Sequence, residues 1–570
     1  MPALPCLSWL REYRGTTLLA DGVAAAIVTV MLIPQSLAYA LLAGLPAETG
    51  LYASILPLVA YAIFGSSRTL AVGPVAVASL MTAAAIAKQD VLPPLEAAMW
   101  LALISGAFLF VLGLLRCGFI ANFISHPVVA GFMTASGILI ALGQVRHLLG
   151  ISGSGETLPE LLSSLAAELP NTHGTTLALG IGILALLFWT RRSMSRFLQL
   201  LGAGKALADT LARLGPMLAV LLTTFIAWYF RLDERGVALL GSIPAALPSL
   251  GLPDYDQAAV STLLVPALLI ATIGYVESMA VGRTLATRRR QKVDPNQELV
   301  ALGAANLASG FSGAFPVTGG FSRSVVNFEA GAETPLAGVL TAVGMMLAAW
   351  YLSDLLAWLP QATLAATIIV AVLPLVDFHP LFEAWRYSRS DFAAVALTMG
   401  VTLLLGVELG VSCGVAASLL LHLYRTSQPH IAEVGEIAGT EHFRNVARHP
   451  VVTHPDILSL RVDESLYFAN ASYIEDYILQ ALRQRPGVRH VVLMCSAVNC
   501  IDFSALEVLE GLNARLRQAG IGLHLSEVKG PVMDQLHRSD FLEELNGQVF
   551  LSQHQAVATL TASPQPSTVH

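Results

Sequence analysis

The hydrophobic positions fall into two regimes. Across residues 18–423 apolar stretches of about 20 residues alternate with short polar or Gly/Pro turns, the length a helix needs to cross a bilayer. Segments 218–230, 262–282, 336–352 and 391–424 are examples, the last long enough for two helices. Counting them predicts about fourteen spans. The first, over 18–43, is too long for a signal peptide and lacks a small-residue cleavage pattern, so it stays as a membrane helix. After Arg425 the pattern changes. Residues 430–455 are polar and read as a linker and lead-in strand, followed by strands at 457–462, 490–495 and 522–526 and helices at 471–483, 504–519 and 532–539. Strands alternating with helices predict a small α/β domain with a largely parallel sheet. The expected division is a membrane domain over 1–427, a linker over 428–445, the α/β domain over 446–563 and a disordered tail over 564–570.

Composition agrees with the pattern. A hydrophobic fraction of 55%, a charged fraction of 12% and a mean hydropathy of +0.65 are too apolar for a soluble chain of 570 residues. The net charge of −7 averages two unlike parts, so its placement matters more. Basic residues gather at Arg191-Arg192, Arg288 to Arg290 with Lys292, Arg386, Arg389 and Arg425; the segments around 46–48, 150–173 and 353–361 carry no Lys or Arg. With fourteen spans the basic loops and both termini share one side, which the positive-inside rule makes the cytoplasm. Arg231 and Arg235 fall on the other. The expected location is a cell (inner) membrane, multi-pass, with the α/β domain cytoplasmic. Cys6, Cys117, Cys413, Cys495 and Cys500 include no CxxC pair, so neither a disulfide framework nor a zinc site is expected. Absence of a GxxxxGK[ST] loop, an HExxH or a nucleophile elbow leaves no support for ATP drive or an enzyme. No cofactor and no nucleic-acid partner are expected.

Two short apolar segments stand in corresponding places of the two halves: RTLAVGPVAVASL at 68–80 and GAFPVTGGFSRSV at 313–325. A helix that begins part-way across a bilayer leaves unpaired N–H groups and a positive dipole end there, and two facing starts make an anion site. The N–H groups of Val75, Ala76 and Val77 after Gly73-Pro74, and those of Phe321, Ser322 and Arg323 after Gly319-Gly320, are the candidate donors. Ser322 adds a hydroxyl and Arg323 a full charge. The competing reading makes the glycines a tight bend and pairs Arg323 with Glu329 or Glu333. Glu277 lies mid-segment in IGYVESMA (273–280), where a lone carboxylate is costly and a candidate to load and release a proton; the alternative is a static salt bridge to Arg283 or Arg323. In the α/β domain, Asp502 and Ser504 stand at a strand-to-helix turn. Simple N-capping accounts for them; phosphorylation of Ser504 at the helix start is the sharper reading.

These residues carry a resemblance. PQSLAYA (34–40), GLYAS (50–54), FGSSR (64–68), AVGPVAV (71–77), SHPVVAGF (125–132), DPNQE (294–298) and TGGFSRS (318–324) resemble, in order, the sulfate permease (SulP) family of anion transporters with its C-terminal STAS domain. The resemblance implies two inverted seven-segment repeats (about 15–230 and 255–425), a moving core against a gate, a homodimer, and an anion held between segments 3 and 10. It also implies that Gln35 and Tyr39, four apart on segment 1 and so on one helical face, line the anion pocket; read alone they fit an interhelical hydrogen bond and an interface aromatic. Some sulfate-carrying relatives have Ser where this chain has Gly320. The resulting expectation is a secondary transporter of a small anion, sulfate first, by proton symport with alternating access between core and gate. Bicarbonate or a dicarboxylate, coupled to sodium or exchange, is the alternative; a membrane-anchored signalling protein is a second, of another class.

Overall fold

The computed structural model describes residues 5–562 apart from residues 12, 120–125, 154, 203, 206–207, 209–210, 213, 242–246 and 249. The expected tail at 564–570 and Ser125 of the 125–132 motif lie outside the described residues. The chain divides into two compact units, Met1–Ser418 and Leu419–His570.

The first unit is helical. Among the described residues seven helices are long and apolar enough to span a bilayer: Gly15–Leu42, Pro94–Leu114, Pro127–Leu149, Gly174–Leu200, Gln257–Arg288, Gln361–Tyr387 and Val407–Ser427. Shorter apolar helices, Glu48–Phe64, Ala76–Ile86, Gly215–Tyr229 and Leu336–Tyr351, lie between them. Some of the expected segments are therefore shorter than a full crossing, because they start part-way along the bundle or are broken within it. The elements that build the site are α1 (Gly15–Leu42), β1 (Val72–Gly73), α2 (Ala76–Ile86), α3 (His126–Leu149), α4 (Gln257–Arg288), α5 (Pro295–Phe311), β2 (Thr318–Gly319), α6 (Phe321–Glu329) and α7 (Gln361–Val372).

Buried polar groups fix these elements in register. Helix α5 lies close against Pro94–Leu114: a Cβ on Gly303 would stand 2.5 Å from the backbone nitrogen of Phe110, so only glycine permits this approach. So placed, α5 presents Glu298 to the turn before β1. Its carboxylate accepts from Tyr61 Oη (2.8 Å) and from the N–H groups of Ser66 (2.9 Å) and Ser67 (3.1 Å). Two turns of α5 further along, Asn306 accepts the N–H of Val317 (2.9 Å) and donates to its carbonyl (2.8 Å), bracing the approach to β2. Asp21 of α1, fully buried, accepts from the N–H groups of Glu333 and Thr334 and anchors the next helix, Leu336–Tyr351. Non-helical backbone inside a membrane bundle must find partners of this kind.

The second unit carries a six-stranded sheet in the order β4-β3-β5-β6-β7-β8, formed by β3 (Ile431–Glu436), β4 (Phe443–Asn445), β5 (Ile457–Val462), β6 (His490–Met494), β7 (Gly522–Ser526) and β8 (Val549–Phe550). Strands β5 to β8 are parallel; β3 joins antiparallel to β5 and β4. Thus 431–436 and 443–445, expected as linker and lead-in, are strands of the sheet, held by Ala432 and Val434 facing its core. Helices α8 (Ala471–Gln484), α9 (Phe503–Gln518) and α10 (Gln553–Ala562) pack around it.

Candidate anion-binding site

Strands β1 and β2 pair antiparallel, Val72 opposite Gly319 and Gly73 opposite Thr318. This two-residue ladder sets the starts of α2 and α6 side by side. Side chains lace it together. Ser324 Oγ accepts the N–H of Ala71 (2.9 Å), Ser278 Oγ accepts that of Gly319 (2.8 Å), and Asn327 Nδ2 donates to the carbonyl of Thr69 (3.1 Å). Val75 and Gly320 are the N-cap residues, both extended and neither giving a side-chain cap. The helical ladders begin with Ser79 donating to Val75 and Ser324 to Gly320. The N–H groups of residues 76–78 and 321–323 therefore precede the ladders, and both positive dipole ends point to one place.

Arg323 lies between these starts. The residue is 3% exposed. Nη2 donates to the carbonyls of Pro74 (2.7 Å) and Thr318 (3.3 Å), while Nε and Nη1 are buried without a hydrogen-bond partner among the described residues. Among the described residues no ion pair of Arg323 with Glu329 or Glu333 is found. Two glycines make room: a Cβ on Gly73 would be 2.7 Å from Nη1 of Arg323, and one on Gly320 would be 2.5 Å from Nε. Any residue larger than glycine at 320 needs a different arginine position. A desolvated cation with two idle donors is expensive, unless an anion completes it.

A cavity of about 540 Å³ opens onto this point. Gln35, Tyr39, Val75, Ala76, Glu277, Phe321 and Arg323 all line it. The side chain of Ser322 lies outside the described set. Glu277 is 8% exposed and forms no ion pair with Arg283 or Arg323 among the described residues. The carboxylate and the guanidinium thus share one cavity without neutralising each other directly. Thr367 and Arg191 also line it, and the sequence reading missed both. Thr367 sits in an apolar run, AATIIVAV, with nothing local to mark it; Arg191 stands in a basic pair that reads as topology, yet its Nη1 donates to the Val370 carbonyl at 3.0 Å.

In the second unit Asp502 is the N-cap of α9, accepting from Ala505 N–H at 2.8 Å and from Phe468 N–H at 2.9 Å. Ser504 is exposed on the first turn. Capping therefore falls to Asp502 and leaves the Ser504 hydroxyl accessible. All five cysteines are free.

Comparison with known proteins places this geometry. Residues 18–398 match the model of the sulfate permease family and residues 449–556 that of the STAS domain. "Sulfate transporter 4.1, chloroplastic" of Arabidopsis thaliana is 36% identical over 573 residues, covering 97% of this chain and 82% of the relative. A probable sulfate transporter of Mycobacterium tuberculosis is 32% identical over 556 residues, 96% of each chain. Among solved structures, SLC26A9 superposes with a TM-score of 0.89 at 23% identity, covering 98% of this chain and 92% of that one. The transmembrane domain of the cyanobacterial bicarbonate transporter BicA superposes with a TM-score of 0.60 at 22% identity, over 71% of this chain and 98% of that one. Two laced helix starts around a buried arginine, a multi-helix membrane unit and a C-terminal α/β sheet thus occur together in a chain that belongs to the sulfate permease family of anion transporters.

Proposed function

We propose that this protein carries sulfate into the cell by proton symport, working as a homodimer in the cell membrane with its STAS domain in the cytoplasm. The observation that carries the reading is Arg323: a buried guanidinium with Nε and Nη1 unpartnered, between two uncapped helix starts and open to the cavity. Backbone and guanidinium N–H groups are pure donors, which suits a fully ionised oxyanion with acceptors on every face. The names of the relatives favour sulfate over other anions. Gln35 and Tyr39 would add side-chain donors from α1, and Phe321 an apolar wall.

Glu277 supports the coupling. An anion entering beside an ionised carboxylate meets repulsion in a low-dielectric site, and a proton on Glu277 removes it. Loading of proton and anion then becomes mutually favourable, as symport requires. Alternating access follows if the part holding α2 and α6 moves against the part holding α7, exposing the one site to each side in turn. Phosphorylation of Ser504 is the regulatory counterpart, a phosphate at the N-terminus of α9 where the helix dipole favours negative charge.

The test is uptake of labelled anions by proteoliposomes of the purified chain, with and without inward proton or sodium gradients. Concentrative sulfate uptake driven by the proton gradient supports the reading. Concentrative uptake of bicarbonate or a dicarboxylate instead, or dependence on sodium, overturns the substrate or the coupling; no flux of any anion favours a signalling role for the membrane unit.

A further inference from the structure

The groove that holds the central cavity continues past it. On α1 the cavity takes Met31, Gln35 and Tyr39; on α7 it takes Thr367 and Val370. A second pocket, of about 40 Å³, takes Leu42 on α1 and Gln361 and Leu364 on α7. Numbers rise along one helix and fall along the other, so both lead in the same direction. Leu364 and Ile368, which line the small pocket, pack with Leu37 of α1 in one apolar cluster. The small pocket thus lies further along the same groove.

The third wall of that pocket is the last part of α3, which contributes Gln144, Arg146 and His147. Gln144 is 6% exposed, and its amide has no hydrogen-bond partner among the described residues. Arg146 Nε donates to His147 Nε2 at 3.2 Å, which leaves the proton of a neutral His147 on Nδ1 as a donor. Arg146 Nη1 donates to the carbonyl of Gly153 and holds the following loop. No carboxylate lines the pocket. Its volume exceeds the roughly 10–15 Å³ that a single water requires. A buried amide without a partner, beside an arginine and a histidine that donate, is the chemistry of a site for a small anion.

We propose that Gln144, Arg146 and His147 form a second anion-binding site, where a small oxyanion pauses between the solution and the central site. The proposal rests on the transport reading above, and adds that the path has a receiving station at the end of α3. Closure of the Leu37–Leu364–Ile368 cluster separates the two sites, and its opening lets the anion pass.

The test compares the two faces of the full-length protein in proteoliposomes of sorted orientation. Gln144→Leu keeps size and breaks no protein hydrogen bond. The half-saturating sulfate concentration at the face bearing residues 150–173 should rise about five-fold or more, the loss expected for one hydrogen bond to an anion, with the opposite face little changed. Arg146→Gln should act in the same direction and Arg146→Lys restore part of the loss. Unchanged half-saturation at both faces, or an equal rise at both, overturns the proposal. A readout independent of transport uses Leu42→Cys with Arg323→Met, the latter disabling the central site. Sulfate should slow modification of the introduced thiol, and Gln144→Leu should abolish that protection. Absence of protection before Gln144 is changed overturns the second site even if transport is normal; protection here, with a protein retaining Arg323 that moves no sulfate, upholds it and refutes the transport reading alone.

Discussion

Replacing Arg323 by Met keeps most of the side-chain volume and removes the charge. The structure sets two opposite effects. With anion bound, the variant loses charge-assisted hydrogen bonds from Nε and Nη1, each worth about 1.5–3 kcal/mol, so losing even one weakens binding roughly 10- to 150-fold. Without anion, the wild type carries a buried cation with two idle donors, each costing about 1–3 kcal/mol. Met relieves that cost, while the carbonyls of Pro74 and Thr318 lose one donor. The anion-free variant should therefore unfold no earlier than wild type. Thermal unfolding in detergent with titrated sulfate reads both effects. At sulfate 100 times the wild-type dissociation constant, binding stabilises the wild type by about 2.7 kcal/mol. A variant weakened 100-fold retains RT ln 2, about 0.4 kcal/mol. Full sulfate-dependent stabilisation of Arg323→Met refutes the assignment; collapse of the anion-free variant shows Arg323 to be a structural tie between the two helix starts.

Other consequences follow from the same geometry. Gly320→Ala puts a Cβ 2.5 Å from Arg323 Nε and should weaken sulfate binding by an overpacking cost of about 1–3 kcal/mol, read by the same titration. Glu277→Gln should keep sulfate-dependent stabilisation yet abolish accumulation under an imposed proton gradient, and accumulation at the wild-type level would remove Glu277 from the coupling. In the STAS unit, burial first and neighbouring His490 second push the His524 pKa down to about 4. Gln548 N–H donates to its Nδ1 at 3.0 Å and its Nε2 lies 3.1 Å from His490 Nδ1, so the neutral ring is the one that fits. An unfolded histidine titrates near 6.5, so this stabilisation is complete above that pH and is lost as pH falls from about 6.5 to about 4, on the order of 2–3 kcal/mol. Urea unfolding of a fragment spanning 428–562 should show that loss, and His524→Gln should flatten it; an unchanged pH profile in His524→Gln argues against the assignment.

The sequence made the helical unit and the core of the STAS sheet readable because periodicity and length are local signals. Strands Ile457–Val462 and Gly522–Ser526 stand where alternation places them. Strand Ile431–Glu436 was harder to see, since Glu433 and Glu436 interrupt its apolar residues and it lies in a polar stretch. Glu277 and Arg323 were legible because charged groups in apolar runs are costly and stand out, whereas Gln35 and Tyr39 were assigned to the pocket only through the family resemblance. Thr367, Arg191 and Gln144 were not. Each depends on which helices pack together far apart in sequence, and a lone Thr, a basic pair or an amide near a helix end has an ordinary local explanation. The unpartnered Nε and Nη1 of Arg323 likewise appear only once the packing is known.

The central claim is that an oxyanion sits between the starts of α2 and α6 and completes Arg323. Selenate has the shape and charge of sulfate and scatters X-rays anomalously, so crystals of the full-length protein grown with selenate test it directly. A selenium peak inside the cavity, with oxygens about 3 Å from Arg323 Nε and Nη1 and from the open N–H groups of residues 76–78 and 321–323, is the predicted result. A protein that transports selenate but shows its selenium elsewhere, with those donors still idle, contradicts the account.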